Sequence, residues 1–196
     1  MSHVTPNEYR QRLESLKQAM RAAKLEIVAS VSDAVHYFYL GYNANAPGSI
    51  KAMVVRLEDD EPRLITRQMD AVSAWSTAYL RRENVEAFDD SAIPGGAWPF
   101  LARPTGELAD GRDVGADLGA SSFTAAASSA LTQAEGIGAL VDATAVLRAP
   151  RRRKTAQELQ WMREAGQIAA SALREGIERL AQGPTLESEL ASVILA

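Results

Sequence analysis

Apolar residues recur at every third or fourth position through Leu159, Met162, Ala165, Ile168, Ala169, Ala172, Leu173, Ile177 and Leu180. This spacing predicts one long amphipathic helix with a single buried stripe. Thr155 can cap its start, and Glu158 stands three residues on, the capping-box distance. Gly183-Pro184 ends it, and Thr185 opens a further helix. The other face carries Arg163, Glu164, Arg174, Glu175, Glu178 and Arg179. A stripe of this length needs a partner surface to cover it. What precedes it already reads as a complete domain. The expected organisation is therefore one domain over residues 1–150, then a long helix and the opening of a second domain over 151–196.

Upstream, two periods alternate. Helical spacing of Tyr9, Leu13, Leu16, Met20 and Ala23 predicts a helix over 8–23, with Arg10, Arg12, Glu14 and Lys17 on its exposed side. A short apolar run at 25–30 predicts an inner strand. Ser32-Asp33 caps a short aromatic-rich helix over 34–40, which Gly41 stops. A loop of small and turn-forming residues follows, from Tyr42 to Ser49. A hairpin is expected next, with strands at 51–57 and 62–66 around the acidic turn Glu58-Asp59-Asp60-Glu61. The remaining elements are a helix over 68–80, a strand at 84–88, a helix opened by Pro94-Gly95-Gly96 and interrupted by Pro104, a strand at 113–117, an Ala/Ser-rich helix over 121–135, a strand at 138–142, and a short turn or helix at 143–149. Strands alternating with helices, plus one hairpin, give an α/β domain with a mixed sheet and helices on both faces.

Charge and composition then narrow the partners. The formal net charge is −4, which argues against nucleic acid as a main partner, because phosphate binding needs a basic surface. Arg151 to Lys154 is the one basic cluster, and it reads as a solvated linker or local ion-pair site. With no cysteine in the chain, disulfides, thiolate metal sites and cysteine nucleophiles are excluded. No apolar run is long enough to span a bilayer, and the N-terminus lacks a basic-then-apolar signal. No membrane partner and a cytoplasmic location are expected.

Candidate chemistry is sparse. The two histidines, His3 and His36, sit in no metal-binding pattern. His36 is read either as a packed histidine or as one facing a substrate near the following loop. No nucleophile elbow and no glycine-rich phosphate loop appear. Asp59-Asp60 and Asp89-Asp90 fall in predicted turns and read as solvated. The loop from Tyr42 to Ser49, with Asn43, Asn45 and Ser49 as candidate contacts, is the best candidate contact surface, since loops on a rigid sheet often carry recognition.

Several of these segments together resemble the N-terminal domain of the creatinase, prolidase and aminopeptidase P family, whose catalytic domain has the pita-bread fold. The opening helix Tyr9-Arg10-Gln11-Arg12-Leu13 before strand Ile27-Val28 is one. The aromatic turn Val35-His36-Tyr37-Phe38-Tyr39-Leu40-Gly41-Tyr42 is similar to the family's Asn-Ile-x-Tyr-Leu-Thr-Gly-Phe segment. The stretch from Arg148 or Arg151 through Lys154-Thr155-Ala156-Gln157-Glu158-Leu159 to Met162-Arg163-Glu164-Ala165 resembles the family's domain junction. Gly183-Pro184-Thr185-Leu186-Glu187-Ser188-Glu189-Leu190-Ala191 resembles the start of the next helix.

The resemblance implies a creatinase-type N-terminal α/β domain, a linker helix, and the start of a truncated pita-bread domain. It implies hydrolysis of C–N bonds, in Xaa-Pro peptides or in small amides, by a divalent metal pair that activates water. The ligands of that pair belong to the second domain, so neither a catalytic nor a metal-binding residue is assigned to this chain, and no cofactor is expected in it. The resemblance further implies a homodimer, with the first domain shaping the substrate entrance. Val35 and Leu40 replace the family's Asn and Thr, and Pro47 and Ser49 stand where creatinase has an aromatic and an arginine; both departures argue against creatine. Arg67-Gln68-Met69-Asp70-Ala71 looks more like the small-amide branch that includes ectoine hydrolase, which adds Arg67 and Asp70 to the candidate substrate contacts.

Two other readings stand beside this one. A stand-alone binding or dimerisation module would bury the long helix's stripe by self-association. An unrelated doubly wound domain would need a phosphate loop or a convergent polar site.

Overall fold

A computed structural model describes residues 4–43, 50–89 and 97–195. Of the residues singled out above, His3, Asn45, Pro47, Ser49, Asp90, Pro94, Gly95 and Gly96 lie outside those ranges. The chain divides into two compact units, Met1–Arg152 and Arg153–Ala196.

In the first unit, α1 (Pro6–Ala22) starts earlier than the apolar spacing alone suggests, because Thr5 accepts a bond from the Glu8 backbone N–H and Pro6 occupies the first turn. β1 (Ile27–Ser30) leads to α2 (Asp33–Leu40), which Gly41 closes at φ +70°. Gly41 is held there twice over, since a Cβ would also stand 2.5 Å from the Tyr9 hydroxyl. β2 (Lys51–Arg56) and β3 (Arg63–Arg67) form the expected hairpin, and α3 (Gln68–Thr77) follows directly. A single 3₁₀ turn, Arg82–Asn84, introduces β4 (Val85–Phe88). Then come α4 (Trp98–Ala109), β5 (Val114–Ala116), α5 (Ala125–Gln133), β6 (Leu140–Asp142) and α6 (Thr144–Arg152).

The six strands make one mixed sheet in the order β4-β3-β2-β1-β5-β6. β2 runs antiparallel to both of its neighbours, and every other pairing is parallel. Alternation along each strand feeds two cores. Val28, Met53, Val55 and Leu64 pack with Leu13, Leu16 and Met20 of α1, Val35 and Tyr39 of α2, Ala71 and Ala74 of α3, and Leu147 of α6. Ile27, Ala29, Val54, Ile65 and Val114 pack with Leu101 and Ala109 of α4 on the other face. The expected mixed sheet with helices on both faces is what forms.

Three local expectations need correction. Pro104 does not interrupt α4. Proline removes one backbone bond in a helix interior, but Leu101, Ala102, Thr105 and Ala109 are buried around it, and the Thr105 hydroxyl donates to the Leu101 carbonyl at 2.7 Å. Arg12 and Lys17 are buried rather than exposed. The Arg12 guanidinium lies over the Phe38 ring, pairs with Glu8 and donates to the Phe38 carbonyl, while Lys17 Nζ donates to the Asp59 carbonyl. Such long side chains bury their stems while the charged end finds oxygen acceptors. The basic cluster is split, since Arg151 and Arg152 belong to the last turn of α6, where cations suit the helix dipole.

The second unit is a helical pair. α7 (Ala156–Ala181) has the full capping box: Thr155 Oγ1 accepts from the Glu158 N–H, and Glu158 accepts from the Thr155 N–H. α8 (Glu187–Leu195) packs on it where Gly176 leaves room for Leu190 and Ile194. Gly176 is the only buried residue of α7, so the predicted stripe through Met162, Ile168, Leu173 and Ile177 is exposed rather than buried.

Candidate functional site

The sheet topology puts the carboxyl ends of β1, β3, β4, β5 and β6 and the amino end of β2 along one edge. In open α/β sheets this edge is where ligands bind. Polar residues gather there: Ser30 ends β1, Lys51 begins β2, Thr66 and Arg67 end β3, and Asp117 follows β5.

The aromatic turn supplies the first part of the cluster. His36 is fully buried on α2, and its Nε2–H donates to the Ser30 carbonyl at 2.7 Å. Burial holds its pKa at about 4, because the charged ring would be desolvated; the bond to Ser30 and Asp33 oppose the lowering and Lys51 adds to it. The ring is neutral at pH 7. Lys51 is buried too, with only 2% of its side chain exposed, and its ammonium meets Asp33 Oδ1 at 2.8 Å. That carboxylate is itself largely in solvent, so the pair joins a buried cation to a hydrated anion. Lys51 Nζ also lies 5.8 Å from the Tyr42 ring centroid.

Tyr42 bridges toward α3. Its hydroxyl is 3.4 Å from Thr66 Oγ1 and 3.4 Å from the Asp70 carbonyl, to which it donates. Burial raises its pKa, and the Thr66 contact partly offsets this. Arg67 Nε donates to Asp70 Oδ2 at 2.8 Å, fixing the first turn of α3. The Ser73 hydroxyl reaches the Asn43 carbonyl at 3.5 Å, where the loop leaves the described residues.

Of the sequence candidates, Arg67 and Asp70 are brought together as an ion pair, Asn43 is exposed beside α3, and His36 is fully buried. Asn45 and Ser49 lie outside the described residues. Sequence reasoning missed Lys51, Asp33 and Thr66 as members of the cluster and named Tyr42 only as the start of the candidate loop. One signal pointed to Lys51: a lone charge heading the otherwise apolar run Ala52-Met53-Val54-Val55. Among the described residues no group of three or more His, Cys, Asp or Glu side chains could hold a metal ion, so the residues present do not fit a metal pair and no metal-dependent step is assigned to them. Nor is any described helix long and apolar enough to cross a membrane.

This architecture is the N-terminal α/β fold of prolidases and Xaa-Pro dipeptidases, as the sequence resemblance implied. The chain superposes on the prolidase from Pyrococcus horikoshii OT3 with a TM-score of 0.69 at 17% identity, covering 94% of this chain and 47% of that one. The Xaa-Pro dipeptidase from Bacillus anthracis gives 0.68 at 17% identity, covering 95% and 47%. The N-terminal domain of cytoplasmic peptidase PepQ from Mycobacterium tuberculosis H37Rv is covered almost entirely, 98%, by 72% of this chain, with a TM-score of 0.55 at 21% identity. In sequence, the chain is 29% identical over 185 residues to an uncharacterized hydrolase/peptidase, y4tM, of Sinorhizobium fredii, and 26% identical to a second from that organism, y4tL. It spans about half the length of these curated relatives, 47% and 46%. No family model matches the chain.

Proposed function

We propose that this chain is the N-terminal, non-catalytic part of a C–N-bond hydrolase of the Xaa-Pro peptidase type, shaping the substrate entrance and taking part in a cytoplasmic homodimer. The observation that carries the reading is coverage: almost the whole chain aligns with roughly half of each prolidase and of each curated hydrolase/peptidase. The first unit is then the entrance domain, and the second is the linker helix with the opening of the catalytic part. The metal pair and its activated water belong to residues outside this chain.

Within the entrance domain, Arg67, Asp70 and Asn43 are the substrate-facing groups, on a layer made rigid by Tyr42, Lys51 and His36. Arg67 and Asp70 present one cation and one anion side by side, a pairing suited to a zwitterionic dipeptide or a small zwitterionic amide. The test is an assay of the purified 196-residue chain against a Xaa-Pro dipeptide and against ectoine, with manganese, cobalt or zinc supplied. No product above the buffer blank is expected. Metal-dependent release of proline, or opening of ectoine, by this chain alone overturns the non-catalytic assignment. In a longer protein that contains this chain, Arg67→Gln is expected to raise KM with kcat little changed. An unchanged KM removes Arg67 from the entrance.

A further inference from the structure

A cleft opens at the end of the sheet opposite the candidate entrance, where β2 finishes and β3 begins. The turn between those strands is tied to α1 by the bond from Lys17 Nζ to the Asp59 carbonyl. The space between turn and helix has a volume of about 460 Å³, within the range of small-molecule sites. Its floor is apolar: Leu13, Tyr39 and Pro62 are all buried, and the rings of Tyr9 and Tyr79 stack beside them at 5.4 Å. Helical spacing puts Arg10, Glu14 and Lys17 on the same side of α1 as Leu13, and all line the cleft. Asp60 and Glu61 line it from the turn.

The charges around this floor are not matched with one another. Glu14 pairs with Arg21 at 2.9 Å. Glu61 accepts from the Arg81 backbone N–H and from the Asn84 amide, and it lies 3.3 Å from Arg81 Nε. Asp60, exposed on the turn, is attracted by Arg81 at longer range. The acids therefore lean on arginines that do not line the cleft. The two cations have no such support, for among the described residues neither Arg10 nor Lys17 forms an ion pair. Arg10 lies over the Tyr79 ring, 5.6 Å from its centroid. Lys17 is only 8% exposed, and among the described residues its one hydrogen bond is to the Asp59 carbonyl. An ammonium carries three N–H donors, so two more remain.

A buried cation without a counter-charge is costly, and an anion that accepts from it is held by a charge-assisted hydrogen bond. Glu14 and Glu61 lie close enough to disfavour a second negative charge, which rules against phosphate. The apolar floor selects a ligand with an apolar body. We propose that the cleft between α1 and the β2–β3 turn binds a small monocarboxylate with an apolar or aromatic body. Its carboxylate accepts from Lys17 and Arg10, and its body lies on Leu13, Pro62 and the tyrosine rings. Every residue of the cleft belongs to the first unit.

The test is ¹⁵N NMR of the purified 196-residue chain, titrated at constant ionic strength with sodium phenylacetate, with its neutral amide phenylacetamide and with sodium acetate. Phenylacetate is expected to shift the amides of Leu13, Lys17 and Glu61 saturably, with a Kd of about 1 mM. Phenylacetamide, which lacks the charge, and acetate, which lacks the body, should each bind about tenfold more weakly or worse. Arg10→Gln, a change at an exposed position, should weaken phenylacetate about threefold, and Lys17→Met about tenfold, with unchanged far-UV spectra. Absence of any saturable shift below about 20 mM phenylacetate overturns the proposal. So do saturable shifts confined to other parts of the chain, equal binding of phenylacetamide, equal binding of acetate, or full affinity in both variants. If Lys17→Met does not fold, Arg10→Gln decides alone, and full affinity in it overturns the site.

Discussion

Lowering the pH from 7 to 4.5 is expected to destabilise the first unit in part through His36. The folded ring titrates at about 4, against 6.5 in the unfolded chain, chiefly because burial penalises the charged form. Between those values the unfolded state binds a proton that the folded state does not. Stability therefore rises with pH across this window. The contribution is fully present above 6.5 and is lost as the pH falls toward 4. At about 1.4 kcal/mol for each pH unit of displacement, the whole effect approaches ~3.4 kcal/mol, and by pH 4.5 about 2.5 kcal/mol of it is gone.

His36→Gln isolates this term. Its side-chain amide can still donate to the Ser30 carbonyl but does not titrate, and the carboxylates of the protein act equally on both forms. The assay is urea unfolding by far-UV circular dichroism at pH 7 and pH 4.5 for each protein. The parent is expected to lose about 2.5 kcal/mol more than His36→Gln over that interval. Matching losses within about 0.5 kcal/mol, beyond the usual extrapolation error, would mean that His36 titrates near its ordinary value and is not sealed from water.

Three further outcomes follow from the packing. Gly106→Ala places a Cβ 2.0 Å from the Glu135 carbonyl oxygen, which belongs to the backbone and cannot turn aside, so α4 and the turn after α5 must separate; a loss of about 3 kcal/mol in urea unfolding is expected. Tyr42→Phe removes the hydroxyl that contacts Thr66 and Asp70 while keeping the ring, and should cost about 1 kcal/mol with no change in far-UV spectrum. Thr155→Ala deletes the cap of α7, and amide exchange at Glu158 should rise about fivefold, the equivalent of ~1 kcal/mol; unchanged exchange would mean the capping box is not formed in solution.

Much of the fold was legible because local rules and packing agree. The caps at Thr155 and Gly41, the acidic hairpin turn and the apolar runs at Val28 and Val54 each carry their instruction within a few residues. Expectation failed where distant parts decide. Pro104 reads as a break, yet the sheet packing of Leu101 and Ala109 holds α4 together across it. Serine at 121 looked like a helix start, but Thr124 takes the cap by accepting from Ala127, and α5 begins at Ala125. Arg12 and Lys17 look solvated by residue type, and only the arrival of Phe38 and Asp59 makes them interior. The site shows the same division. Arg67 and Asp70 stand three apart at a helix start and pair as that spacing allows. Lys51 and Asp33 meet only after β1 and β2 have paired, so neither signals the other in sequence.

The single reversed strand has a consequence for assembly. β2 joins β3 through the short connection 57–62 and joins β1 after a longer excursion, whereas β1 meets β5 only when Ile27 finds Val114. Contacts between close neighbours in the chain cost less closure entropy and form sooner. The half-sheet β4-β3-β2-β1 is thus expected to zip up first, exposing the bare side of β1 as a template that β5 and then β6 complete. Pulse-labelling exchange during refolding should protect the amides of Val54 and Ile65 ahead of that of Val114. Simultaneous protection would place the long-range parallel pairing in the nucleus instead. Until β5 arrives, the central strand of the finished molecule is an open edge, and crowded nascent chains would meet one another there.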